Sequence, residues 1–118
     1  MERTALSIVE IEILGTLVKQ TGTIGQRAEL VRTLDRHVFV EPEHRVIFES
    51  IRSLLPRGGF SEEQLAVHLN NRGFPDVDLE KYVAAGHANI GTVLQLADRL
   101  NRHNQQRTDV ISSDGRGN

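Results

Sequence analysis

The sequence predicts an all-α fold, a compact bundle of about six helices. Three observations lead there. Apolar residues recur at helical spacing in one segment after another. Cap and stop residues separate those segments. Strand-like character is confined to Val38–Val40.

The first helix is expected over residues 5–20. Leu6, Val9, Ile13 and Leu17 share one stripe, with Leu14 and Val18 at its flank. At about 100° per residue these make one broad apolar face. Glu10 falls on that face, and Glu12 points away. Gly22 stops the helix. The stretch Thr21-Gly22-Thr23-Ile24-Gly25 reads as a turn, followed by a short helix over 26–35 carrying Leu30, Val31 and Leu34.

Pro42 suits the first turn of a third helix, where its missing N–H costs nothing. That helix, 42–55, gathers Ile47, Phe48, Ile51, Leu54 and Leu55 on one face. Pro56 and Gly58-Gly59 end it, and Phe39 and Val40 are expected to fold back over it. Ser61-Glu62-Glu63-Gln64 has the capping-box form, a hydroxyl with a glutamine three residues on. Its helix runs to Arg72, where Gly73 and then Phe74-Pro75 prevent continuation. Asp76 or Asp78 can cap a short helix through Leu79, Tyr82 and Val83. Asn89 caps the last helix, whose stripe is Ile90, Val93, Leu94, Ala97 and Leu100.

The 118 residues suit one domain. We place it at 1–104, with a disordered polar tail at 105–118, because apolar residues nearly vanish there. Fourteen basic and sixteen acidic residues leave a net charge of −2, too little positive charge to hold duplex nucleic acid. Arg99, Arg102, Arg107 and Arg116 bias the C-terminal end toward basic, but no aromatic residues interleave to stack bases. Direct nucleic-acid binding is therefore expected to be weak. The absence of cysteine excludes disulfides, thiolate zinc sites and cysteine nucleophiles. No apolar run reaches the roughly 18 residues of a membrane span. Met1-Glu2-Arg3 lacks a signal peptide's apolar core, so a cytoplasmic location and no membrane partner are expected.

Catalytic motifs are scarce. A phosphate loop needs GxxxxGK[ST]. In Thr21–Arg27 the glycines stand too close, and the lysine and its hydroxyl neighbour are missing. The histidines are His37, His44, His68, His87 and His103, with no HxxxH or HExxH among them. No metal or cofactor is expected. No serine sits in GxSxG, and Ser61 is better used as a cap. His44 precedes Ile47 by three residues and Phe48 by four, so it leans toward the apolar face of its helix, as Glu10 does on the first. Two readings stand. The pair is an acid–base dyad, or it is a satisfied buried pair that locks two helices in register. The second is favoured, because no pocket-forming loop or third catalytic group accompanies the pair. Tyr82, the one tyrosine, is either core or a partly exposed anchor for a partner.

Two strings in the chain carry a family resemblance. Glu10-Ile11-Glu12-Ile13-Leu14-Gly15-Thr16-Leu17 resembles the opening of the N-terminal domain of DnaB-type replicative DNA helicases. Phe39-Val40-Glu41-Pro42-Glu43-His44-Arg45-Val46-Ile47-Phe48-Glu49-Ser50-Ile51 resembles that family's F-Y-x-x-x-H-R-x-I-F-x-x-I motif. Arg57-Gly58-Gly59, Leu65 to Leu69, Gly73, Tyr82-Val83 and Asn89 to Leu100 follow its order at the level of pattern. A looser likeness is to the helicase-binding C-terminal domain of bacterial primases.

The resemblance implies a helical bundle that does no chemistry, forms the collar of a ring-shaped helicase and contacts primase. Glu10, Gly15, Phe39, His44, Phe48 and Ile51 would hold the fold, and Tyr82 would be the partner-binding candidate. The chain departs from the family at several points. It has no Walker A motif, Ser61 stands where the family has Asp, Leu96 stands where it has Tyr, and the segment between Tyr82 and Asn89 is short. The helical hairpin that pairs subunits is missing beyond Asn101 to Arg107, so a monomer or dimer is expected rather than a hexamer. The expected function is a protein–protein interaction domain of the bacterial replisome, with primase or replicative helicase as partner. The alternatives are a stand-alone phage or mobile-element regulator of helicase or primase assembly, and a small enzyme using Glu10 and His44.

Overall fold

The computed structural model describes residues 3–102. The expected boundary at 104 and the expected tail at 105–118 lie outside the described residues. Within them all regular structure is helical, with no strand, and Val38–Val40 is irregular. The helices are α1 (Arg3–Val18), α2 (Ile24–Thr33), α3 (Pro42–Leu54), α4 (Glu62–Asn71) and α5 (Leu79–Ala85). A 3₁₀ turn, Leu55–Arg57, extends α3, and α6 covers 90–102.

Local chemistry sets most of the boundaries. Ser61 Oγ accepts from the Gln64 amide at 3.0 Å, and Gln64 Oε1 accepts from the Ser61 amide at 2.8 Å. Thr23 and Gln26 build the same reciprocal box at the start of α2. That helix therefore begins at Ile24 rather than at 26, and Gly25 belongs to it. Asp78 caps α5, and Asn89 Oδ1 accepts from the Gly91 amide at 2.8 Å. Beyond α4, Gly73 adopts φ +88°. The Phe74 amide then reaches back to Leu69 O and the Gly73 amide to Asn70 O, which satisfies two orphan carbonyls. The same pair of bonds ends α1, Thr21 to Thr16 O and Gln20 to Leu17 O. There the left-handed residue is Gln20, φ +55°, ahead of the expected stop at Gly22.

Gln20 is held in that conformation by its side chain. Its amide oxygen accepts from the Phe60 amide at 3.2 Å, and its amide nitrogen donates to Phe60 O. Arg27 closes the same corner from α2, with Nη1 donating to Gln20 O at 2.7 Å and Gly22 O at 2.6 Å.

The core is formed by one stripe from each helix. Ile13, Leu14 and Leu17 of α1 meet Leu30 and Leu34, Ile47 and Ile51, Leu65 and Leu69, Tyr82, and Val93, Ala97 and Leu100. Among the first five helices, α1 packs more extensively on α5 than on α3. The crossing depends on two glycines. A Cβ at Gly15 would lie 1.8 Å from Tyr82 O, and one at Gly86 would lie 2.6 Å from the Gly15 carbonyl carbon. The backbones touch there, so Thr16 Oγ1 can accept from the His87 amide at 2.8 Å. No described helix is long and apolar enough to cross a membrane.

Candidate functional site

Glu10 lies in the middle of the α1 stripe and has no exposed surface. A buried carboxylate needs hydrogen-bond donors on its oxygens. Three arrive, all from the chain between α2 and the first turn of α3. His37 Nε2 lies 2.6 Å from Oε2, and His44 Nδ1 lies 2.9 Å from Oε1. The Val40 amide donates to both oxygens, at 3.1 and 3.3 Å. An ionised carboxylate only accepts, so both imidazole nitrogens must carry protons here. Burial by itself pushes the Glu10 carboxyl up. The His37 and His44 hydrogen bonds, the Val40 amide and the charge of His37 outweigh it and hold the group below the ordinary 4.5.

The expected Glu10–His44 pair is therefore present, as two members of a triad. His37 was not anticipated. It stands in an irregular segment where no periodicity marks an inward side chain. The one available signal was its place two residues before Phe39, whose ring it meets edge-on at 4.7 Å. Phe39 in turn meets Phe48 at 5.1 Å. Phe48 and Ile51 are buried as expected, whereas Phe39 is only half-buried. It lies over α3 as a flap rather than filling the core.

Tyr82 corrects the partner-binding expectation. Its side chain has no exposed surface, so it presents nothing to a partner in this fold. Its ring packs edge-on against His44 at 5.8 Å, and its hydroxyl donates to Glu43 Oε2. Burial, then that hydrogen bond, then the charges of Glu43, Glu41 and Glu10 push the phenol well above its usual value, so it stays a donor. Helix α5 is thus tied to the first turn of α3 beside the Glu10 cluster.

Chemically the cluster is a closed hydrogen-bond set. Each imidazole directs a nitrogen to a different carboxylate oxygen, and the Val40 amide spans both. Among the described residues no group of three or more His, Asp or Glu is arranged to hold a metal ion. A second feature lies some ten residues along α3, about 15 Å from the cluster at 1.5 Å per residue. There an open groove of about 550 Å³ runs between the end of α3 and α4, lined by Leu54, Arg57, Glu63, Val67 and His68. His68 Nδ1 is 3.0 Å from the Ser50 hydroxyl, and Val67 is 56% exposed. The sequence signal for the groove was Val67, an apolar residue off the Leu65–Leu69 stripe.

In comparisons with known proteins, no family model, no curated protein and no solved structure matches this chain.

Proposed function

We propose that this chain is a non-catalytic protein–protein interaction domain of the bacterial replisome, akin to the helicase collar, with primase or replicative helicase as its partner. One observation carries the reading. The two strings that resemble the helicase N-terminal domain stand far apart in the chain, with Glu10 and His44 34 residues apart, yet they meet at one buried cluster. Glu10 and His44 belong to it, Phe39 meets its His37 edge-on, and Phe48 in turn meets Phe39. Gly15, the remaining distinctive residue of the first string, lies at the tightest helix crossing. Residues shared in this way by a motif and a core support common ancestry of the fold.

The acid–base reading of Glu10 and His44 is weaker. The carboxylate is fully enclosed and its oxygens are already occupied by three donors. A substrate would have to displace the core to reach it. The stand-alone regulator and the collar-like module make different assemblies, and oligomeric state separates them. The test is a pull-down from host lysate with the full chain as bait, read by mass spectrometry, with light scattering on the purified protein. Recovery of primase or replicative helicase is the expected result. A monomer or dimer by scattering favours the regulator, and a hexamer favours the collar. Recovery of neither replisome protein would overturn the proposal.

A further inference from the structure

We propose that Glu10 is an acid-released latch: when its carboxylate takes up a proton, the segment 35–41 between α2 and α3 lets go of α1 while the helices stay packed. The apolar anchorage of the segment is partial: Phe39 and Val40 pack against the core without being enclosed by it. Val38 is 79% exposed, and Phe39, Val40 and Glu41 are only half-buried. The helices on either side are held separately, α2 by Leu30 and Val31 and α3 by Ile47, Phe48 and Ile51. The hydrogen bonds of the segment to α1 fall in two places. In the interior, His37 and the Val40 amide meet Glu10. At the rim, Arg3 donates to Val40 O at 2.9 Å and lies 3.7 Å from Glu41.

The inner tie depends on a carboxylate, whereas the closer rim contact is to a backbone carbonyl. A protonated Glu10 gains an O–H donor in a space where three N–H donors already converge, and its remaining oxygens accept more weakly. Charged and titratable groups face Glu10 from the segment, from α3 and from α5. His37 of the segment and His44 of α3 face it as donors. Tyr82 of α5 gives its one hydroxyl hydrogen to Glu43 of α3, so it has none to donate to Glu10. Glu41 faces outward to Arg3 at the rim of the segment. Release would free the Phe39 ring, which now lies against Phe48 of α3.

The inference is independent of the partner proposed above. Its test is amide hydrogen exchange by NMR on the full chain, from neutral pH to about pH 3, with the carboxyl carbon of Glu10 reporting its own titration. The expected result is that the Val40 amide loses about tenfold or more in protection beyond any loss at Leu14 and Ile47, with the midpoint of Glu10. Equal loss at Val40, Leu14 and Ile47 would overturn it, because the bundle would then be opening as a whole. Val40 protection that survives the titration of Glu10 would overturn it as well. The E10Q chain, with a neutral side chain of the same shape, should show the selective loss already at neutral pH. An E10Q chain that keeps Val40 protected, or that does not fold, contradicts the latch.

Discussion

Phe48 and Glu10 show how differently single residues hold this fold. Phe48 contributes burial and is flanked by the Phe39 ring and, at 5.7 Å, by the Arg52 guanidinium. Phe48→Ala should cost about 3–5 kcal/mol, the transfer term plus the cavity. Urea denaturation measures it, and a midpoint close to wild type would remove Phe48 from the core. Glu10 contributes through charge, so its effect depends on pH. Its carboxyl titrates lower in the folded chain than in the unfolded one. The stability it adds is therefore fully present above the ordinary value of 4.5 and lost as pH falls through the folded value. Denaturation midpoints taken from neutral pH down to about pH 3 should fall less steeply for E10Q than for wild type. Parallel curves would show that Glu10 carries no such linkage. The Glu10–His44 pairing was legible because both residues interrupt apolar stripes at helical spacing. His37 was not, because a side chain in an irregular segment has no period to reveal its direction. Tyr82 was ambiguous for a related reason: an aromatic with a polar tip suits a rim or a core with a waiting acceptor, and Glu43 supplied the acceptor.

At the level of elements, the helix starts follow side-chain rules that can be checked one at a time. Ser61→Ala removes the hydroxyl that accepts from Gln64 and should cost about 1 kcal/mol. Thr23→Ala should cost a similar amount at the start of α2. The first box was legible and the second was not, because the glycines at 22 and 25 make the Thr23 string look like an uninterrupted turn. Glycines divide in the same way. Gly15→Ala drives a methyl into the Tyr82 carbonyl and should destabilise by at least the ~1–3 kcal/mol of an overpacked core. Gly25→Ala meets nothing closer than Thr23 Oγ1 at 3.9 Å and sits inside α2, so it should stabilise by about 0.4–1 kcal/mol. Thermal melts of the two variants should move in opposite directions, and a shared direction would contradict the α1–α5 crossing. The sequence shows a small residue in an apolar stripe at Gly15. It does not show that Gly86, 71 residues later, is the backbone it touches, since such a pairing exists only once the helices are assembled.

Across the whole molecule, periodicity was enough to place the bundle, because each helix has one apolar face and the faces have only each other to cover them. The surface followed no such rule. The groove beside α4 depends on where α3 ends and where Val67 happens to point, and one exposed valine is a weak signal in a sequence. Function is hardest to read at this scale, because a helical bundle serves many tasks and the site decides among them. Here the most unusual site is a closed polar cluster that ties the segment 35–41 and the first turn of α3 to α1. The most direct measurement is a calorimetric titration of the purified full chain with purified primase, and separately with purified replicative helicase, from the same host. Saturable binding to one of them, retained in a folded variant altered outside the contact surface, is the predicted result. Heats indistinguishable from dilution with both proteins would contradict the account.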